Sequence, residues 1–175
     1  MKAIRKIVIT GPESTGKTEL AAALSIKYNA LYIPEYARQY VENLDRKYTY
    51  ADVEEIARQQ IELESEFIKK TTKILFYDTY LIITKVWFDV VFHKHPDWLD
   101  NYIQESQIDL YLLCNTDLPW IADGIRENGG EMRERLFEIY RDELDKYNFQ
   151  YRIISGNGTD RTDNAINHIN NFFGL

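Results

Sequence analysis

The chain has 175 residues, 45% hydrophobic and 14% aromatic, which is enough for one domain with a real core and too apolar for a disordered polypeptide. Its formal net charge of −7 and pI near 5.0 argue against a nucleic-acid-binding surface or an anionic membrane partner. The single cysteine, Cys114, sits in an apolar run and reads as a buried thiol, which excludes an intrachain disulfide framework and fits a reducing cytosol.

No stretch reaches the roughly 18 consecutive apolar residues of a membrane span. The first six residues, Met1-Lys2-Ala3-Ile4-Arg5-Lys6, lead into a strand without a signal-peptide core. The expectation is one cytoplasmic domain over residues 1–175, without repeats or interdomain linkers, and with its oligomeric state open.

Ile4 and Ile7-Val8-Ile9-Thr10 form a β-branched run suited to a buried parallel strand. Residues 11–18 follow as Gly11-Pro12-Glu13-Ser14-Thr15-Gly16-Lys17-Thr18, which fits G-x-x-x-x-G-K-[ST] at every fixed position. Phosphates need a concave ring of backbone N–H groups that side chains would obstruct, so glycines mark the turn. The stretch from Glu13 to Thr18 would cradle the phosphates, Lys17 would reach the β- and γ-phosphates, and the Thr18 hydroxyl would ligate Mg²⁺. A chance match in a strand-to-helix turn is the alternative. However, Lys17 to Tyr28 reads as a helix with Leu20, Leu24 and Tyr28 on one face, and a helix N-terminus favours anions.

Ala30 to Ile33 is a second strand, ended by Pro34. Glu35, Tyr36 and Arg38 follow at its carboxyl edge, where ligands of open parallel sheets bind. They are either substrate contacts or a solvated Glu/Arg pair beside a core tyrosine. Thr49-Tyr50-Ala51-Asp52 has the form of a capping box opening a long helix, with Val53, Ile56, Gln60, Leu63 and Phe67 at helical steps. Gln60 reads as a hydrogen-bonded structural glutamine or a ligand contact. Ile74 to Asp78 is a third strand, and an apolar strand ending in aspartate is what a P-loop site uses to hold Mg²⁺. Asp78 is therefore the metal carboxylate expected beside Thr18, with Thr79 next to it.

Tyr80 to Phe92 is apolar nearly all round and reads as a buried helix. His93 and His95 have no evident third ligand and do not make a metal site. Pro96 fits the first position of a further helix. Leu110 to Cys114 is a fourth strand. The turn-rich segment from Asn115 to Arg126 and the hinge-like Glu127-Asn128-Gly129-Gly130 lead into a helix with Met132, Leu136 and Tyr140 on one face. Arg133 and Arg135 lie in its first turn, where they gain nothing from the dipole. Residues 115–135 are accordingly read as a lid that lowers Arg126 and Arg133 over a transferring phosphoryl group. The alternative is a solvated set with Glu131, Glu134 and Glu138. Phe149 to Ile154 is a fifth strand, Gly156 and Asn157 form a loop suited to adenine, and Thr159 to Phe173 is a closing helix. This order implies a three-layer α/β P-loop NTPase fold: a five-stranded parallel sheet with helices on both faces and a lid.

With these motifs placed, nearly the whole chain resembles the nicotinamide riboside (ribosylnicotinamide) kinase domain family of bacterial NAD-biosynthesis regulators. The resemblance rests on the P-loop, Glu35-Tyr36-Ala37-Arg38, Asp78-Thr79, His95-Pro96, and the Asn115 to Arg126 segment with Trp120, Asp123, Gly124 and Arg126. It implies phosphoryl transfer from Mg-ATP to the 5′-hydroxyl of nicotinamide riboside. Glu35, Tyr36, Arg38, Thr79, Trp120 and Asp123 would then contact the nucleoside, with aromatic stacking on the cationic pyridinium ring. Lys17, Asp78, Glu35, Arg126 and Arg133 would be catalytic, and either Glu35 or Asp78 would accept the hydroxyl proton. Two positions depart from the family pattern near the expected nucleoside site: Pro34 stands before Glu35-Tyr36, and Tyr80 follows Asp78-Thr79. The helix-turn-helix and the H-x-G-H adenylyltransferase motif of the multidomain relatives are not seen. The competing classes are another nucleoside or small-metabolite kinase, a regulatory ATPase or GTPase, and a nucleotide-binding scaffold. Thr84-Lys85-Val86-Trp87 lacks the aspartate of a guanine motif.

Overall fold

The computed structural model describes residues 4–71, 73–122 and 126–175, so the expected leader-less start at Met1 to Ala3 lies outside it. In β1 (Arg5–Thr10), successive side chains turn to opposite faces. Val8 enters one core, Ile7 and Ile9 enter another, and all three are fully buried. The same alternation recurs in β3 (Ile74–Asp78) and β4 (Leu110–Cys114), whose residues are buried throughout. Burial on both faces is why these strands read as unbroken apolar runs. β2 (Leu31–Ile33) and β5 (Tyr151–Ile154) are the partly exposed edges.

The five strands are all parallel, in the order β2-β3-β1-β4-β5. Helices α1 (Lys17–Tyr28) and α7 (Thr159–Phe173) cover one face through Leu20, Leu24, Ala165 and Ile169. The other face is covered by α3 (Tyr50–Lys70), α4 (Leu81–Phe92), α5 (Asp97–Glu105) and α6 (Gly130–Lys146). This is the expected three-layer arrangement, and every strand delivers its carboxyl end to the same rim.

Several details differ from the sequence expectation. The segment after Pro34 is a short helix, α2 (Tyr36–Glu42), in which no residue is buried. Without an apolar stripe it has no period to detect. Pro96 is the cap before α5 and not its first residue. Gln60 is buried, and its Nε2 has no hydrogen-bond partner among the described residues. Tyr80, the second departure from the family pattern, lies in the core, where its hydroxyl donates to the buried Glu64. His95 engages Asp89 and Asp100, and no cluster of metal-ligating side chains is found among the described residues. No helix among them is long and apolar enough to cross a membrane.

Candidate active site

The P-loop leaves β1 at Gly11, which has φ +132° and packs against β4. A Cβ there would come within 2.8 Å of the Cys114 carbonyl oxygen, so only glycine fits. Ser14 adopts φ +58° and Gly16 φ +73°, the left-handed turns that make successive N–H groups converge into an anion-binding concavity. Thr15 Oγ1 donates to the Pro12 carbonyl at 2.9 Å, closing the turn, and Lys17 Nζ reaches the same oxygen at 2.7 Å. The loop ends at the N-terminus of α1, as the motif requires.

Asp78, at the end of β3, is 1% exposed and accepts from the Thr18 hydroxyl at 2.6 Å through one carboxylate oxygen. Its other oxygen, Oδ1, is buried without a partner. Burial raises the Asp78 pKa, opposed by the Thr18 hydrogen bond and by Lys17. A threonine hydroxyl beside an unsatisfied buried carboxylate is a donor set of hard oxygens, which fits Mg²⁺. Thr79 holds φ +67°, a costly conformation for a β-branched residue, and its N–H donates to the Ile9 carbonyl at 3.0 Å.

Glu35 caps the start of α2 without accepting a helix N–H. Burial raises its pKa, and Lys17 and Asp78 are the next influences on it, with opposite signs. The expected carboxylates from β2 and β3 therefore share one electrostatic neighbourhood with the P-loop lysine. Tyr36 stacks obliquely on Tyr40 at 5.9 Å between centroids, and Arg38 is exposed, paired with Glu42 at 3.0 Å.

The segment expected to be a lid is hydrogen-bonded to the P-loop at several points. The Glu13 carboxylate accepts from the backbone N–H of Glu127 at 3.3 Å and of Asn128 at 3.0 Å. The Ser14 hydroxyl donates to the Pro119 carbonyl and accepts from the Ile121 N–H and from Arg126 Nη1. Arg133 is 5% exposed, so it does not belong to a solvated set with Glu131, Glu134 and Glu138. Trp120 packs against Gly129, where a Cβ would come within 3.2 Å of the indole. Asp123 and Gly124 lie outside the described residues.

At the β4 and β5 edges, one cluster passed unnoticed in the sequence. Arg161, 3% exposed, donates to Asp117 Oδ1 at 2.7 Å, to the Gly156 carbonyl at 2.9 Å and to the Asn115 carbonyl at 2.8 Å. The Gly156 N–H donates to Asp117 Oδ2 at 2.7 Å. Both backbone groups of Gly156 are thus engaged within the protein, and only the exposed Asn157 of the expected adenine loop faces outward. The signal was present: Arg161 lies in the first turn of α7, where the dipole disfavours it, the same oddity that drew attention to Arg133.

Comparison with known proteins agrees with this geometry. A model of the AAA domain matches residues 6–161. The trifunctional NAD biosynthesis/regulator protein NadR of Salmonella typhimurium is 28% identical over 149 residues, covering 83% of this chain and 36% of that protein. Its Escherichia coli counterpart is 27% identical, covering 77% and 34% respectively. The chain therefore spans about a third of the length of these relatives. Among solved structures, NadR protein in complex with NR superposes with a TM-score of 0.80 at 24% identity, covering 98% of this chain and 50% of that one. A deoxyadenosine kinase from M. mycoides with bound dATP gives 0.61 at 18% identity, covering 95% and 99%. These likenesses establish the fold, and the match over most of its length shows that the chain belongs to the AAA domain family of P-loop proteins.

Proposed function

We propose that the protein is a kinase that transfers the γ-phosphoryl group of Mg-ATP to the 5′-hydroxyl of nicotinamide riboside, releasing nicotinamide mononucleotide and ADP. The observation that carries the reading is a second carboxylate, Glu35, in the electrostatic neighbourhood of Lys17 and Asp78. An acid there can take the proton of the attacking nucleophile, which a pure nucleotide-binding scaffold does not need. A kinase needs one to take the acceptor's proton. The similarity to NadR, and to the NadR structure with NR, supports nicotinamide riboside as that acceptor.

In this mechanism the P-loop amides and Lys17 hold the β- and γ-phosphates, and Thr18 and Asp78 hold Mg²⁺. The ion supplies neutralisation of the charge that gathers on the phosphate oxygens. Asp78, bonded to Thr18 through one oxygen, would give the other to Mg²⁺, which favours Glu35 as the group that accepts the hydroxyl proton. As that O–H bond breaks, the ribose oxygen forms a bond to the γ-phosphorus, and the bond from phosphorus to the β-bridging oxygen breaks with its electron pair going to ADP. Tyr36, Arg38, Thr79, Trp120 and Asp123 would line the acceptor side, Arg126 would close over the phosphates, and Asn157 would border the adenine.

The test is ADP formation from Mg-ATP across a nucleoside panel. Release that depends on nicotinamide riboside is expected. Release dependent on a different acceptor would move the assignment to another nucleoside or small-metabolite kinase, and equal release with no acceptor would make the protein an ATPase.

A further inference from the structure

Arg133 is the residue whose surroundings fit its expected role least. It enters the molecule from the first turn of α6, and its Nε donates to the Glu13 carbonyl at 3.0 Å. Nη2 donates to the Ser14 carbonyl at 2.8 Å and Nη1 to the Leu118 carbonyl at 2.7 Å. All three guanidinium nitrogens are thus committed to backbone oxygens, two of them belonging to the P-loop. Among the described residues no carboxylate lies within ion-pair distance of Arg133, although it is 5% exposed. Burial lowers its pKa, opposed by the more distant carboxylates of Glu134 and Asp117.

Peptide geometry gives this contact a consequence. In a trans peptide the C=O and N–H point in opposite directions. The Glu13 carbonyl belongs to the same plane as the Ser14 N–H, and the Ser14 carbonyl to the same plane as the Thr15 N–H. Pulling both carbonyls toward α6 turns both amides away from it, toward the concave side of the loop. The Ser14 N–H has no protein acceptor among the described residues, as an amide reserved for an anion requires.

We propose that Arg133 is a positioning residue for the nucleotide, gripping the outer side of the P-loop so that the Ser14 and Thr15 amides face the phosphates, and not a clamp on the transferring phosphoryl group. Its buried charge, bonded directly to no carboxylate among the described residues, attracts the anion through the loop. The residue also joins lid to cradle, since the same guanidinium holds Leu118 at the start of the lid. The inference rests on the nucleotide half of the proposed function alone and is independent of the acceptor.

The experiment is calorimetric titration of the intact protein, without acceptor, by Mg-ATP, Mg-ADP and AMP, for wild type, Arg133→Met and Arg133→Lys. ATP and ADP affinities should fall together in Arg133→Met, by about 10- to 100-fold for lost hydrogen bonds to a charged group. AMP, which lacks the β-phosphate, should lose much less, so the ratio of ADP to AMP affinity shrinks. Arg133→Lys keeps the charge without the planar fork and should recover only part of the loss. If ADP binding is unchanged while turnover with ATP collapses, Arg133 is a clamp and the proposal fails. It also fails if all three affinities fall by one factor, the signature of a structural residue, or if none changes. Should Arg133→Met not fold, as judged by circular dichroism, Arg133→Lys carries the same ratio test. A lost turnover with an intact ADP-to-AMP ratio in wild type would instead count against the proposed acceptor.

Discussion

The two ends of the site are built differently. At the donor end, the P-loop rises from the central strand β1, packs on Cys114, and is tied to Leu118, Asn128 and α6 through Glu13, Ser14 and Arg133. At the proposed acceptor end, α2 carries Tyr36 and Arg38 but has no buried residue. Its tether is Tyr40, whose hydroxyl donates at 3.0 Å to Asp52 in the capping box of α3. Asp52 also binds Arg46 at 2.6 Å, and these hydrogen bonds, led by Arg46, hold its carboxyl far below the usual range. A helix held by polar contacts can be altered without disturbing the core.

The largest effect that would sharpen this contrast is expected from Glu35→Gln. Loss of the base should lower kcat by about 10²- to 10⁴-fold and leave Mg-ADP affinity unchanged. Burial raises the Glu35 pKa, so its proton-accepting form is lost at a higher pH than for an ordinary glutamate. The acid limb of the kcat/KM profile in wild type should therefore lie above the usual carboxylate range, and in Glu35→Gln it should vanish from the residual rate. Persistence of that limb would transfer the base role to Asp78, whose pKa is raised in the same direction.

Lys17→Ala tests the donor end, with an expected loss of about 10²- to 10³-fold in turnover and an unchanged circular dichroism spectrum. Wild-type turnover in that variant would remove the loop from the chemistry. Smaller again is Tyr40→Phe, which cuts the tether of α2. The acceptor KM should rise about 2- to 10-fold, the net worth of one hydrogen bond, while nucleotide affinity stays constant. If nucleotide affinity drifts as well, the two ends are coupled and the contrast breaks. Glu42→Gln, which removes only an exposed pair with Arg38, should change stability by less than about 0.5 kcal/mol in chemical denaturation.

The donor half was legible because its constraints are local. Gly11, Gly16, Lys17 and Thr18 are fixed by covalent spacing, and the unbroken apolar runs of β1, β3 and β4 announce strands buried on both faces. Thr49 and Asp52 identified their capping box for the same reason. The acceptor half was harder to read. Tyr36 to Glu42 forms a helix without a buried stripe, so no periodicity marks it. Arg161 and Asp117, separated by 44 positions, meet only because β4 and β5 are neighbours.

The sequence alone determined the strands, the phosphate loop and the carboxylate that ends β3, since each depends on neighbours along the chain. Tertiary structure decided what the lid arginines touch. The sequence places Arg133 near the phosphates by an argument about dipoles, but which atoms it binds depends on how α6 lies across the loop. A long, five-donor side chain takes whatever acceptors the packing brings within reach, and here those are the P-loop's own carbonyls.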